Sequence, residues 1–185
     1  MTRIIAGAAG GRTISVPPSG TRPTSDRVRE AIFSRVESWT DIIGARVLDL
    51  FAGSGALGLE AASRGASRVD LVDNSDKAVA VINKNIGLVQ SAVADCDMRA
   101  HRVSVTAFLE SAAAEWDLVF IDPPYDQGNS VLETALTLLA PRLSTDALVA
   151  VERSSRDPEP TWPAGFEVLT PKTYGETTVY WLSRT

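Results

Sequence analysis

Two short segments carry the most reactive combination of side chains in this sequence. The first is Asp49-Leu50-Phe51-Ala52-Gly53-Ser54-Gly55-Ala56-Leu57-Gly58, and the second is Asp122-Pro123-Pro124-Tyr125. The second narrows the reaction. An exocyclic amine on an aromatic ring is a poor nucleophile, because its lone pair is spread into the ring. To attack a methyl group the nitrogen must pyramidalise and take on positive charge. Two acceptors aimed beforehand at its two N–H groups favour that change. Asp122 offers a carboxylate, and the backbone carbonyl of Pro123 or Pro124 offers the second acceptor. Proline fixes φ and has no N–H, so the corner is stiff. Tyr125 offers a face on which a base can stack, worth roughly 1–3 kcal/mol. Asp122 is expected to position and polarise rather than to act as a general base.

The glycine segment has two readings. Gly53-x-Gly55-x-x-Gly58, with Asp73 at the end of the following strand, fits a dinucleotide fingerprint. In a pyrophosphate site, however, the loop and helix start favour anions. A carboxylate at Asp49, just before the loop, adds repulsion there. S-adenosylmethionine carries no phosphate. Its methionine end has an ammonium and a sulfonium, both of which favour a nearby acid. The bland reading of Asp49 is a helix cap or a satisfied strand-end residue. The candidate cofactor contacts are Asp49, Phe51, Gly53, Ser54, Gly55, Asp73 and Asn74. In-line transfer needs nitrogen and methyl carbon within roughly 3–3.5 Å. The first and fourth strands of a parallel sheet can be neighbours and bring both corners to one carboxyl edge.

The elements that must position these residues follow from the apolar pattern. Residues 3–16 read as a β-hairpin around Ala8-Ala9-Gly10-Gly11. Pro23-Thr24-Ser25-Asp26 starts a helix over about 25–39, with Val28, Ala31, Ile32 and Val36 on one face. Strands are predicted at Val47–Leu50, Val69–Val72, Arg102–Val105, Leu118–Ile121 and Ala147–Val151. Helices are predicted between them at 58–64, 75–89, 107–114 and 130–140. Strand alternating with helix implies parallel strands covered on both faces. Phe166–Leu169 and Thr177–Leu182 close the chain as an antiparallel pair, with Lys172-Thr173-Tyr174-Gly175 as a hairpin connector. The expectation is an α/β, Rossmann-like, seven-stranded and mostly parallel sheet. Residues 1–40 form an amino-terminal hairpin and helix extension, and residues 41–185 form the core.

Composition bounds the rest. The chain has 185 residues and a net charge of -5. Up to Thr40 there are six arginines against three acids, which is +3, so the remainder carries -8. A basic arm on an acidic body can hold a polyanion at one edge. The alternative is a helix whose arginines are solvated or paired to their own acids. Cys96 and His101 are the only residues of their types, so neither an internal disulfide nor a cysteine or histidine metal cluster is expected. No apolar run approaches the ~20 residues that span a bilayer. The start, Met1-Thr2-Arg3-Ile4-Ile5-Ala6-Gly7, lacks the pattern of a signal peptide. A cytoplasmic monomer without metal is the simplest expectation.

Several segments occur in a particular order: Arg3–Gly7, Gly11-Arg12, Arg22-Pro23-Thr24-Ser25-Asp26-Arg27-Val28-Arg29-Glu30, the 49–60 loop and Asp122–Tyr125. In this the chain resembles the RsmD family of bacterial 16S ribosomal RNA guanine-N2 methyltransferases, whose usual target is guanine 966. The resemblance implies a class I methyltransferase fold with S-adenosylmethionine as donor. It also implies Gly53 and Gly55 at the methionine end, Asp73 at the ribose and Asp122 to Tyr125 around the guanine. The arm would face RNA through Arg3, Arg12, Arg22, Arg27 and Arg29, with the substrate in a partly or fully assembled small ribosomal subunit. Where many relatives place an Asp or Asn after the third strand, Ser104-Val105-Thr106-Ala107 offers only a hydroxyl or a backbone group. Reaching a stacked base requires extruding it, at a cost of a few kcal/mol. An amine-methylating pocket of this type also suits adenine N6 in DNA or a glutamine side chain. A third alternative is a non-catalytic assembly factor that binds ribosomal RNA.

Overall fold

The computed structural model describes residues 1–18, 24–124 and 126–185. Arg22, Pro23 and Tyr125 therefore lie outside the described residues. The chain opens with β1 (Thr2–Arg3) and β2 (Thr13–Ile14), a short antiparallel pair, followed by α1 (Asp26–Trp39). Ser25 caps α1 by accepting the Val28 N–H, and Asp26 sits in the first turn where the helix dipole favours an acid. Then come β3 (Arg46–Leu50), α2 (Ala56–Ser63), β4 (Arg68–Asp73), α3 (Asp76–Gln90), β5 (Asp97–Arg102), α4 (Val105–Ser111) and β6 (Trp116–Ile121). The chain continues through α5 (Asn129–Leu139), β7 (Leu143–Ser154), β8 (Phe166–Val168), β9 (Lys172–Tyr174) and β10 (Thr177–Arg184).

One sheet runs in the order β5-β4-β3-β6-β7-β10-β8, with β9 also paired to β10. Strands β3 to β7 are parallel, and β10 is antiparallel to its neighbours. The order reverses between β3 and β6, which pair in register from Val47 opposite Leu118 to Leu50 opposite Ile121. Each sheet face is sealed by its own apolar cluster. One contains Val47, Leu59, Val69, Leu71 and Phe120, and the other contains Leu48, Leu50, Val72, Val119 and Leu136. Alternating side chains of β3 thus point to opposite clusters, as strand geometry requires. Among the described residues no helix is long and apolar enough to cross a membrane.

Three expectations need correction. Among the described residues the sheet has eight strands, because Lys172–Tyr174 is itself a strand and turns into β10 at Gly175-Glu176. The third core strand is Asp97–Arg102, not Arg102–Val105. Ser104 instead caps α4 by accepting the Ala107 N–H, and Val105 enters that helix. The buried face of α1 is Arg29, Ile32, Phe33 and Val36, one position round from the face expected.

The amino-terminal extension shares the main core. Ile4, Ile14, Ile32 and Phe33 are fully buried in the same cluster as Val47 and Phe120. Its dock is α2. The fully buried Glu60 accepts the Ile5 and Ala6 N–H groups at 2.8 and 3.0 Å and the Arg64 Nε at 3.0 Å. Gly7, at φ +79°, lies so close to Ser63 that an added Cβ would stand 2.0 Å from its carbonyl oxygen. No other residue fits there.

Candidate active site

The site is built where the sheet order reverses. Asp49 lies in β3, 2% exposed, and accepts the Gly58 N–H at 2.9 Å. That bond satisfies one donor of the first turn of α2, so part of the capping role is real. Burial pushes the Asp49 carboxyl well above the usual range, and the charges of Asp122 and Asp73 push the same way. Phe51 follows at φ 57°, the one non-glycine in the left-handed region among the described residues. Such a conformation costs roughly 1–2 kcal/mol and is typical of functional loops. Gly53 and Gly55 continue the turn at φ 60° and 79°. Nothing lies within 4 Å of a Cβ added at Gly53, so that edge of the loop is open.

Asp73, at the end of β4, accepts the Gly53 N–H at 3.0 Å and the Ser75 N–H at 2.9 Å. It therefore braces the glycine loop, and each oxygen keeps a second acceptor direction. Asn74 beside it is exposed. The Ser54 carbonyl accepts from Asn85 Nδ2 at 2.9 Å. Asn85, fully buried on α3, also donates to the Ser15 carbonyl and accepts the Ser15 N–H, each at 2.9 Å. One amide thus ties the arm to the loop.

Gly58 holds α2 close to the sheet. A Cβ there would stand 2.9 Å from Val69 Cγ1, 3.0 Å from Leu71 Cδ2 and 3.2 Å from Asp49 Cβ. Gly58→Ala gains up to ~1 kcal/mol of helix propensity. It also overpacks three buried neighbours, at a cost of about 1–3 kcal/mol, and Val69 is stiff at χ1. The clash wins: the variant is expected to lose about 1–2 kcal/mol in urea unfolding, and an unchanged midpoint would contradict this packing.

On the adjacent strand, Asp122 follows Ile121, and its N–H reaches toward the Leu50 carbonyl at 3.5 Å. Asp122 is half-buried. Burial pushes its carboxyl up to about 7, with the Arg153 charge pulling the other way. Pro123 is buried and Pro124 half-buried. The Pro124 carbonyl accepts the Gln127 N–H at 3.1 Å, which leaves the Pro123 carbonyl as the freer acceptor of the two. Tyr125 lies outside the described residues. Asp49, Asp122 and the loop around Gly53 thus meet at one carboxyl edge.

The residues fit a cationic donor. Two buried or half-buried acids with raised pKa values adjoin an open glycine turn, and a compact positive charge would relieve their mutual repulsion. Asp49, Phe51, Gly53, Ser54, Gly55, Asp73 and Asn74 all belong to the segments β3–α2 and β4–α3 at this edge. Among the described residues no group of three or more His, Cys, Asp or Glu is arranged to hold a metal ion.

The arginines divide. Arg3 is exposed and pairs with Asp26 at 3.1 Å. Arg12 is half-buried and donates to Ser91 Oγ at 2.7 Å and to the Leu88 carbonyl at the end of α3. Arg27 is exposed, and Arg22 lies outside the described residues. Arg29 corrects the expectation of an RNA-facing side chain, because it is fully buried. It donates to Thr2 Oγ1 and the Arg3 carbonyl at 2.8 Å each and to Asp26 at 2.6 Å, and it lies 3.7 Å from Glu60. It bolts the arm to α2. Glu60, Asn85 and Glu152 were not singled out from sequence. Glu152, 6% exposed, is the residue after Val151, which pairs with Ile121.

A parallel sheet reversing at a glycine loop beside an acid-proline-proline corner defines a class I methyltransferase fold. Magnesium protoporphyrin IX methyltransferase (ChlM) from Synechocystis PCC 6803, solved with bound SAM, shares it at TM-score 0.66 and 13% identity, over 90% of this chain and 87% of that one. The family described as "Conserved hypothetical protein 95" matches residues 2–183. The chain is 38% identical over 178 residues to Ribosomal RNA small subunit methyltransferase D of Escherichia coli (strain K12), covering 94% of this chain and 85% of that protein. The solved structure of yhhF from Escherichia coli superposes at TM-score 0.84 with 34% identity, over 99% of this chain and 97% of that one. The chain belongs to the RsmD family.

Proposed function

We propose that the protein transfers a methyl group from S-adenosylmethionine to the exocyclic N2 of a guanine in 16S ribosomal RNA, guanine 966 by family resemblance. The observation that carries this reading is the juxtaposition of the Asp49 loop and the Asp122 corner on paired strands. When bound, S-adenosylmethionine supplies a methyl group activated by its sulfonium. Asp49 and the turn at Gly53 and Gly55 would hold its methionine end, and Asp73 its ribose. Asp122 would accept one N–H of the amine and the Pro123 carbonyl the other, favouring the pyramidal nitrogen. Residues 1–40 would face the RNA, with Arg3, Arg12 and Arg27 supplying phosphate contacts. The small ribosomal subunit, partly or fully assembled, would present the base to a cytoplasmic monomer.

Mass mapping of 16S ribosomal RNA from cells lacking the protein tests the reading. The expected result is one missing methyl group on a guanine, restored when purified protein and S-adenosylmethionine are added to the mutant's small subunits. Incorporation into duplex DNA or release factor, with none into small subunits, would overturn it.

A further inference from the structure

The mechanism above leaves the buried acid Glu152 unused. Glu152 follows Val151 within β7, as Asp122 follows Ile121 on the paired strand. Its Oε2 accepts the Thr24 hydroxyl at 3.2 Å. Its Oε1 is buried and has no hydrogen-bond partner among the described residues. A buried carboxyl with an empty acceptor is costly unless a donor arrives. Burial raises the Glu152 carboxyl well above the ordinary range, and the charges of Asp122 and Asp49 raise it further.

The chemistry of the purine edge says which donor fits. Guanine presents three N–H donors on its Watson–Crick and sugar-side edge: N1–H and the two of N2. Adenine presents two at N6, with a bare acceptor at N1. A glutamine side chain also has only two. Asp122 and the Pro123 carbonyl use two donors, and guanine alone has a third on the adjoining ring atom. The structure assigns Glu152 as a specificity-determining residue that accepts guanine N1–H through Oε1 while Asp122 holds N2. This inference rests on the guanine reading of the site and deepens it. Against adenine or a glutamine amide, the same oxygen meets either a lone pair or nothing, and the acid stays buried without a partner. The Thr24 contact fixes the other oxygen and so sets the direction of the free one.

Small subunits from cells lacking the protein serve as substrate, after the product of the wild-type protein has been identified. A wild-type product other than N2-methylguanine would defeat the proposed function on its own, before any Glu152 variant is made. With that product in hand, Glu152→Gln is expected to slow single-turnover transfer about 10- to 100-fold, the usual value of a lost base-edge contact. S-adenosylmethionine affinity should stay within about threefold, or ~0.7 kcal/mol, which also reports folding. Glu152→Asp, which keeps the charge, should recover part of the rate and remains informative if the glutamine variant does not fold. Thr24→Val should slow transfer less than Glu152→Gln. On subunits reconstituted with 2-aminopurine at the target, which has the amine but no N1–H, Glu152→Gln should outperform wild type, because its amide can donate to N1. A wild-type rate in Glu152→Gln, equal loss in Thr24→Val, parallel loss of donor affinity, or no gain on 2-aminopurine would each overturn the assignment.

Discussion

Asp122→Ala is expected to lower the rate of methyl transfer about 10²–10³-fold, the scale of removing one preorganised polar group from a reacting centre. Donor affinity should hold within about tenfold, or ~1.4 kcal/mol, because the proposed mechanism sets the residue against the amine and gives the cofactor to the glycine loop. The pH profile carries the same information. Burial pushes the Asp122 carboxyl of the free protein up to about 7, and the ionised form is the stronger acceptor of an N–H. The value of kcat/KM should therefore rise with pH through about 7, and Asp122→Asn should be slow and lack that limb. Stability should run the opposite way. Between the ordinary carboxylate value of 3.8 and the raised one, the folded protein keeps a proton that the unfolded chain has released. Stability is thus fully present below that interval and falls as pH rises through it. Asp122→Asn should narrow that fall. A variant with wild-type turnover at pH 8 would remove Asp122 from the chemistry.

The second large effect is expected at Asp49. Its amide counterpart, Asp49→Asn, can still accept the Gly58 N–H through its oxygen, so the turn into α2 survives. What disappears is a negative charge in a desolvated setting. Removing one member of such a charge pair costs roughly 2–5 kcal/mol, so S-adenosylmethionine should bind about 30- to 4000-fold more weakly by calorimetry. S-adenosylhomocysteine lacks the sulfonium charge but keeps the ammonium. A smaller loss for it would place Asp49 toward the sulfonium, and an equal loss would place it toward the ammonium. Affinity for both within about threefold of wild type would reduce Asp49 to a helix cap.

Much of this site was legible because its scaffold is strongly patterned. Val47-Leu48-Asp49-Leu50 is a short strand with its acid inside, Leu118–Ile121 is a continuous apolar run followed at once by Asp122, and their pairing follows from parallel-sheet rules. The third core strand escaped because β5 is an edge strand, with exposed charged residues at Asp97, Arg99 and Arg102 and few apolar side chains to mark it. Arg29 was misread from its charge. Its spacing from Ile32, Phe33 and Val36 follows the helical repeat, so position 29 lies on the buried stripe. Only the long-range partner Glu60 makes such a burial tolerable, and no local pattern announces a partner 31 positions away in sequence. Glu152 was hidden for a related reason. Glu152-Arg153 looks like the polar end of a strand, whereas antiparallel pairing with β10 carries β7 on to Ser154.

The Asn85 amide has a consequence for what can be cut from this protein. It spends three hydrogen bonds, two on Ser15 and one on the Ser54 carbonyl. Glu60 likewise spends itself on Ile5 and Ala6. A shortened chain beginning at the first core strand would keep every residue of the cofactor loop. It would also strand an acid and an amide in the interior and unpin the glycine turn. The leading segment is therefore no detachable module: its own seat and the shape of the glycine turn are wired through the same few interior groups.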